Sequence, residues 1–273
     1  RSMSRSARTA LLPLWLAAAA VTGLGCDVRA GEGGFSLGMA SGRATDEWKK
    51  TYTISPNGRF EVRNTNGTVT VEPGTGPDTV EVRAERIAKA SSDEAAQSVL
   101  KQIEISEDVR PDVVRLETKA PQSWRQNHEV RYFIKVPKSI KVEARTTNGG
   151  VRLNGLANEV IASSQNGGIK GDGLSGHVDA NTTNGGVEIG LEALADDGVR
   201  LETVNGGVQL QLPKTAKADI SARCVNGGVH VDEQLTLEST GEKSRRRLEG
   251  RLNGGGSRVE LATTNGGIHI TGR

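Results

Sequence analysis

The stretch Val178-Asp179-Ala180-Asn181-Thr182-Thr183-Asn184-Gly185-Gly186-Val187-Glu188-Ile189 decides the fold of this chain. Apolar or small side chains alternate with polar ones on both sides of its Asn-Gly-Gly. A period of two is typical of a β-strand with one buried face, because successive side chains of a strand point to opposite sides. The stretch therefore predicts two short strands that meet at a glycine-rich turn, since Asn and Gly both suit turns.

The same pattern occurs seven times. The copies can be aligned on Asn66, Asn148, Asn166, Asn184, Asn205, Asn226 and Asn265, and from Asn148 onward they follow each other at 18, 18, 21, 21 and 39 residues. The positions six residues before and three residues after each of these asparagines hold only Val, Ile or Phe. A segment that recurs in register is a structural unit that stacks on its own copies.

Two folds satisfy this pattern. Each copy can be one coil of a parallel β-solenoid, in which like residues stack, or Asn-Gly can be a two-residue hairpin turn in an antiparallel meander or propeller. The repeat length favours the solenoid, because about 20 residues at roughly 3.3 Å each make a coil perimeter near 65 Å, whereas a propeller blade needs about 40 residues. The low aromatic content, 3%, also suits stacked columns of Val, Ile and Ala. We therefore predict an all-β, parallel β-solenoid (β-helix) in which the seven asparagines form a structural ladder at one corner.

Two segments interrupt the pattern. Ser91-Ser92-Asp93-Glu94 is a capping-box signature, and apolar residues follow it at helical spacing, which predicts one short helix over residues 92–104 that caps the solenoid or lies along its side. The charged segment 241–251 is predicted to be an insertion, and the Asn-Gly-Gly at Asn253 a loop, because its upstream flank is charged.

The N-terminal residues predict export. Arg5 and Arg8 precede a twelve-residue apolar run, residues 10–21, which is too short to span a membrane stably and ends shortly before Cys26. We predict a signal peptide over residues 1–25 and lipidation of Cys26; ordinary signal cleavage, with Cys26 removed or left free, is the alternative. Residues 26–46 are rich in Gly, Ser and Ala and are predicted to be a flexible tether, and residues 47–273 are predicted to be the solenoid.

Charge and residue content exclude several classes of function. Residues 27–273 hold 32 basic and 33 acidic residues, which argues against nucleic-acid binding. No catalytic triad, metal-ligand spacing or cofactor motif can be identified, so we predict no enzyme, no metal site and no cofactor. Cys224 falls in the inward Thr/Ser column and is predicted to be a small core residue.

One outward column is polar in every copy. It is predicted to contain Arg152, Lys170, Glu188, Gln209, His230, Glu260 and His269. The two histidines hold equivalent places, so they would adjoin if the residues between their copies are excluded from the stack. These residue types differ from copy to copy, which is typical of a solvated face.

The repeated Asn-Gly-Gly-Val-x-Leu/Ile, preceded by Val-x-Ala-x-Thr, resembles the bacterial putative-adhesin family of β-strand-repeat proteins over residues 48–271. The resemblance implies a right-handed β-helix, export to the bacterial cell envelope, and attachment to the membrane through a lipid anchor. It implies no catalytic residues. The predicted function is that of a non-enzymatic envelope protein that binds a surface glycan or protein. Two alternatives remain: a β-helix enzyme that acts on polysaccharide, and a periplasmic structural or sensing module.

Overall fold

The structure, a computed structural model, describes residues 26–31, 34–39, 42–120 and 128–273. The chain divides into two units, Arg1–Ala40 and Ser41–Arg273. In the first unit, β1 (Cys26–Gly31) and β2 (Gly34–Met39) pair as an antiparallel hairpin inside the segment predicted to be a tether. The predicted signal peptide, residues 1–25, lies outside the described residues.

In the second unit, each copy of the repeat supplies two strands that belong to two different sheets. The pairs are β4 (Arg59–Asn66) with β5 (Val69–Pro73), β10 (Lys141–Asn148) with β11 (Val151–Asn154), β12 (Val160–Asn166) with β13 (Ile169–Leu174), β14 (Val178–Asn184) with β15 (Val187–Leu191), β16 (Val199–Asn205) with β17 (Val208–Leu212), β18 (Ala218–Asn226) with β19 (Val229–Val231), and β22 (Ser257–Asn265) with β23 (Ile268–Gly272). The chain turns from one sheet to the other at each Asn-Gly, so every copy forms one coil.

Further strands flank these coils. They are β3 (Gly42–Thr53), β6 (Thr79–Ala90), β7 (Glu104–Val109), β8 (Val113–Lys119), β9 (His128–Val136), β20 (Leu237–Lys243) and β21 (Arg247–Leu252). The eleven-stranded sheet has the order β20-β21-β18-β22-β16-β14-β12-β10-β4-β8-β7, and the ten-stranded sheet has the order β19-β23-β17-β15-β13-β11-β5-β9-β6-β3.

The coils are parallel and in register. Ala180, for example, lies between Ala162 and Leu201, and the equivalent asparagines are paired from coil to coil. This confirms the solenoid and excludes the antiparallel alternative for the repeat. The copies stack because each exposes the same alternation of buried and exposed residues, so a one-residue slip would turn every apolar side chain toward water.

The order of the coils in space differs from their order in the sequence. The coil of Asn265 lies between those of Asn205 and Asn226, because β22 pairs with β16 on one side and β18 on the other. The charged insertion explains this rearrangement: β21 occupies the outer edge of β18 in antiparallel fashion, so the chain returns along the inner edge. The segment predicted to be a plain insertion thus forms much of the β20–β21 hairpin, and Asn253 lies in the turn that follows.

The opposite end of the stack is closed by antiparallel strands. β4 and β5 pair with β8 and β9 in parallel, but β6 runs antiparallel to β9, β3 antiparallel to β6, and β7 antiparallel to β8. The apolar alternation at Val80 and Val82, which predicts a continuation of the early coil, therefore belongs to a strand of opposite direction.

The predicted helix is present as α1 (Asp93–Leu100) and ends four residues earlier than the sequence predicts. Ser92 is its N-cap, and the side chain of Ser92 accepts a hydrogen bond from the backbone N–H of Ala95. Ala96, Val99 and Leu100 are buried against β3 and β6, the last two strands of the ten-stranded sheet. The helix therefore covers the end of the stack, as one of the two predicted placements requires.

The core lies between the two sheets and consists of stacked aliphatic columns. Val142, Val160, Val178 and Val199 form one column, and each is at most 2% exposed. Full burial of one such side chain contributes roughly 1.5–3 kcal/mol. Bulky aromatic residues enter the core near the antiparallel end, where Phe60 and Tyr132 are fully buried.

Candidate functional site

The seven repeat asparagines form an unbroken chain of amide hydrogen bonds along one corner. Asn184 Nδ2 donates to Asn166 Oδ1 at 2.9 Å, and Asn205 Nδ2 donates to Asn184 Oδ1 at 2.9 Å. Equivalent bonds join the other members at 2.7–2.8 Å. Because each amide both donates and accepts in the same direction as its neighbours, the ladder is continuous from Asn66 to Asn226.

A second ladder lies just inside the corner. Thr182 Oγ1 donates to the carbonyl oxygen of Gly167 at 2.8 Å, and Thr203 Oγ1 donates to the carbonyl oxygen of Gly185 at 2.8 Å. Thr146, Ser164 and Thr263 make the equivalent bond in their coils. The inward Thr or Ser therefore satisfies a glycine carbonyl that the turn directs away from water. The buried, unpaired Cys224 occupies the same position, as the repeat predicts.

The first glycine after each asparagine is required by close packing of the coils. A Cβ on Gly185 would lie 2.4 Å from the carbonyl oxygen of Gly167, and a Cβ on Gly206 would lie 2.0 Å from that of Gly185. The second glycine is much less constrained, since a Cβ on Gly186 would lie 3.4 Å from its nearest neighbour. Asn-Gly thus places an amide outside the corner while the backbones of adjacent coils approach closely.

The outward face of the ten-stranded sheet carries the main candidate binding surface. One row of side chains, here called the outer row, crosses all ten strands in register. Its members in spatial order are Lys49, Arg83, Phe133, Thr70, Arg152, Lys170, Glu188, Gln209, His269 and His230. At about 4.8 Å per strand, the row is about 43 Å long. Only one of its ten members is acidic, whereas four are Lys or Arg.

Most of the predicted outward column belongs to the outer row, with one exception. Glu260 lies on β22, paired with Arg200 and Ser221, and therefore on the eleven-stranded sheet. The prediction was wrong because Glu260 precedes its asparagine in the repeat, whereas the other members follow theirs.

Four members of the outer row were missed by the sequence prediction. Thr70 could have been found, since it stands four residues after Asn66 as Glu188 stands four after Asn184. Lys49, Arg83 and Phe133 lie on strands that have no Asn-Gly to align. Their register depends on strand pairing at that end, which is parallel between β5 and β9 and antiparallel from β9 to β6 and from β6 to β3.

Two shallow concavities lie along this face. The first has a volume of about 610 Å³ and is lined by Arg152, Lys170, Glu188, Gln209 and His269 together with the next outward row. Glycine at position 190 leaves space in this concavity, because a Cβ there would lie 2.6 Å from Asp172 Oδ1. The second has a volume of about 630 Å³ and includes Arg83 and Phe133. The guanidinium carbon of Arg83 lies 4.1 Å from the centroid of the Phe133 ring, a cation–π contact that leaves both side chains at least partly exposed.

The acids of the first concavity are paired with cations. Glu188 forms an ion pair with Lys170 at 2.6 Å, and Asp172 forms one with Arg273 at 3.3 Å. A glycosidase-type site needs two carboxyl groups that face each other across the substrate, one of them protonated. On this face each of the two carboxyl groups instead contacts a cation of the chain itself, Lys170 or Arg273.

The structure brings His230 and His269 together at one end of the outer row. They are partners on β19 and β23, with ring centroids 5.8 Å apart, because the β20–β21 hairpin is excluded from the ten-stranded sheet. Throughout the described ranges, no three His, Cys, Asp or Glu side chains form a group that could hold a metal ion.

The titratable groups with shifted pKa values mainly serve the structure at the antiparallel end. Glu61, 5% exposed, accepts a hydrogen bond from Arg115 Nε at 2.7 Å, which lowers the pKa of its carboxyl despite the opposing effect of burial. Burial is the largest influence on Glu107 and raises its pKa, but hydrogen bonds from Lys50 and Tyr52 leave the pKa below its usual value. Burial and the Glu107 carboxylate raise the pKa of Tyr52. The hydrogen bonds of Lys50 and Tyr52 to Glu107 join β3 to β7 and close the stack.

The two cysteines differ in position. Cys224 is inside the solenoid, whereas Cys26, the predicted lipidation site, is the first residue of β1. No helix in the described part of the chain has the length and apolar character that a membrane crossing requires.

The pattern that defines the Toastrack DUF4097 family matches residues 49–271, which confirms the predicted resemblance over almost the same range. Among solved structures, a putative cell adhesion protein from Clostridium sporogenes shares 14% identity with a TM-score of 0.46, and the similarity covers 84% of this chain and 100% of that chain. A putative adhesin from Bacteroides fragilis shares 11% identity with a TM-score of 0.33, covering 84% of this chain and 97% of that one. No curated protein matches the sequence.

Proposed function

This chain belongs to the Toastrack DUF4097 family, and from that premise we propose that it is a non-enzymatic binding module displayed at the bacterial cell envelope. The observation that carries the proposal is the outer row, a continuous and solvent-facing line of side chains across all ten strands of one sheet. A solenoid holds such a line rigid, so a ligand that binds along it does not have to order the protein.

The chemistry of the outer row suits an extended polar ligand. Lys49, Arg83, Arg152 and Lys170 supply cationic donors, Gln209 supplies an amide, and Phe133 supplies one aromatic surface. Each contact alone is weak at an exposed site, but contacts repeated along a polymer act together. A surface polysaccharide or an extended protein segment is therefore the ligand class, and the face is too shallow to enclose a small molecule.

Attachment to the membrane through Cys26 is part of the proposal. It is supported by the basic and apolar residues before Cys26 in the sequence. Metabolic labelling with a fatty-acid analogue tests it: the wild-type chain should incorporate label and Cys26→Ala should not. Cys224→Ala is the matched control, because that cysteine is buried inside the solenoid and its removal should leave labelling unchanged. Equal label in wild type and Cys26→Ala would contradict lipidation of Cys26.

Binding is tested with an array of bacterial and host polysaccharides and extracellular proteins. The full chain should bind a subset of them. The double variant Arg152→Ala and Phe133→Ala should bind the same ligands at least tenfold more weakly. Arg63→Ala is the matched control, since Arg63 is an exposed arginine on the eleven-stranded sheet. Equal loss in the control would show that the outer row is not the binding surface.

The same ligands distinguish the alternatives. If a polysaccharide that binds the chain becomes shorter during incubation, as judged by size-exclusion chromatography, the chain is an enzyme and not only a binding module. If the chain binds no ligand on the array, that result would contradict the proposal and favour a structural or sensing role in the envelope.

A further inference from the structure

Each of the two kinds of hydrogen bond at the asparagine corner runs in one fixed direction along the stack. The first glycine after each asparagine donates its backbone N–H to the asparagine carbonyl of the coil on the β18 side, as Gly185 does to Asn205 at 3.0 Å. The same bond occurs from Gly67, Gly149, Gly167, Gly206 and Gly266. The side-chain amides donate the opposite way, so every Oδ1 depends on the coil on the β18 side for its donor.

Asn226 and Gly227 form the last corner in this direction. The turn of the β20–β21 hairpin replaces the missing next coil on both sides of them: Arg246 accepts from the N–H of Cys224 at 2.8 Å, and Arg245 accepts from that of Val229 at 2.9 Å. At the corner itself, no described residue accepts from the N–H of Gly227 or donates to Oδ1 of Asn226. Both residues are exposed. Among the seven ladder corners, this one combines an uncovered glycine N–H with an amide held by a single bond.

These two groups are the reactants of asparagine deamidation, and we propose that Asn226 is a site of spontaneous modification to aspartate and isoaspartate. The backbone nitrogen of Gly227 attacks Cγ of Asn226 and loses its proton. A new N–Cγ bond forms, the Cγ–Nδ2 bond breaks, and ammonia leaves with the proton. Water then opens the cyclic succinimide at either carbonyl, so the net change is one water consumed and one ammonia released. No oxidant or cofactor takes part.

The other six corners are protected by the hydrogen bonds that Asn226 lacks. Attack at Asn184, for example, requires loss of the Gly185 N–H bond and of the amide bond from Asn205 before the reacting atoms can meet. Two such bonds correspond to a rate roughly ten- to a hundredfold lower. The fold therefore distinguishes sites that are nearly identical in local sequence, since all seven are Asn-Gly.

Modification would act on the end of the stack alone. Asn226 Nδ2 donates to Asn265 Oδ1 at 2.8 Å, and conversion of the amide to a carboxylate replaces this donor with an oxygen. Isoaspartate also adds a methylene to the backbone between β18 and β19. The last coil would loosen and Asn265 would lose one amide partner, whereas the amides of Asn148, Asn166, Asn184 and Asn205 would keep both of theirs.

Peptide mapping by mass spectrometry tests the proposal on the full chain. The folded protein and a denaturant-unfolded sample are incubated in parallel at mildly alkaline pH, and Asp and isoaspartate are measured at the seven ladder asparagines. In the folded sample, Asn226 should be modified at least tenfold faster than any of the other six, with isoaspartate among the products. In the unfolded sample all seven should react at comparable rates.

Three results would overturn the proposal. Equal rates at all seven sites in the folded chain would show that the missing bonds do not matter. Preference for Asn226 in the unfolded chain as well would assign the effect to local sequence. Aspartate without isoaspartate would exclude the cyclic route. Asn226→Gln should abolish the modified end peptide, because glutamine closes the corresponding ring far more slowly, and it should leave the other six rates unchanged.

Discussion

Removal of one interior amide should weaken the solenoid by a predictable amount. Asn184→Ala deletes two hydrogen bonds, one donated to Asn166 and one accepted from Asn205. Asn226→Ala deletes one, because Asn226 has a ladder partner on one side only. A net hydrogen bond contributes about 0.5–1.5 kcal/mol, and the abandoned partners here are exposed, so water can replace the lost bond without a desolvation penalty.

The expected losses follow directly. Asn184→Ala should lower the free energy of unfolding by about 1–3 kcal/mol, and Asn226→Ala by about half as much. For a body of this size, 1 kcal/mol corresponds to roughly 2–4 °C in Tm. Thermal and denaturant unfolding followed by far-ultraviolet circular dichroism would measure both. Gln165→Ala is the control: Gln165 is exposed next to the ladder, and its removal should change stability by less than about 0.5 kcal/mol.

The outcome that refutes this reasoning is an Asn184→Ala curve that coincides with that of the control. Equal losses from Asn184→Ala and Asn226→Ala would also contradict it, since stability would then depend on the presence of asparagine and not on its ladder partners. Interior and end positions are comparable because each coil contacts only its neighbours, so stability is close to a sum over adjacent pairs.

Three further predictions concern the corner and the closed end. Cys224→Thr should stabilise the chain by about 1 kcal/mol, because it supplies the hydroxyl that other coils use to satisfy an inward glycine carbonyl; denaturant unfolding would measure the gain, and a loss would contradict the role given to the inner ladder. Gly185→Ala should cost more than about 3 kcal/mol or prevent folding, whereas Gly186→Ala should be tolerated, as expression and circular dichroism of the pair would show. Glu61→Gln should destabilise at neutral pH by about 1–3 kcal/mol, since it breaks a partly buried ion pair. The native pKa of Glu61 lies below its ordinary value of 4.5, so the stability that its ionisation provides is present above pH 4.5 and is lost as pH falls through the native pKa. Unfolding curves should therefore show a smaller difference between variant and wild type at pH 3 than at pH 7.

The repeat was sufficient to predict the fold because its alternation is in register with itself in every copy. The pairing of Asn166 with Asn184 and of Ala162 with Ala180 follows from the sequence alone, and so does the inward position of Cys224. Burial on a single face leaves no other register for the strands.

The order of the coils could not be predicted for the same reason. All coils present equivalent edges, so the pattern around Asn265 fits next to Asn205 as well as next to Asn226. What decides the order is the β20–β21 hairpin, whose charged residues carry no copy of the repeat. Likewise, Arg83 reaches the outer row through antiparallel pairing of β6 with β9, and Phe133 reaches it through parallel pairing of β9 with β5. Both pairings depend on tertiary contacts and not on local period.

This arrangement also explains how the stack ends. A parallel stack of like coils has an open edge at each end, where more strands could add. At one end, antiparallel strands and α1 cover it. At the other, a hairpin that is local in sequence pairs with β18, and β23 is placed inside the stack, where Arg273 donates its backbone N–H to Leu212 at 2.9 Å. The hairpin turn covers the strands on both sides of the last corner but does not reproduce an Asn-Gly of its own. Closure of the stack by a segment outside the repeat therefore leaves Asn226 without the two hydrogen bonds that protect the other corners.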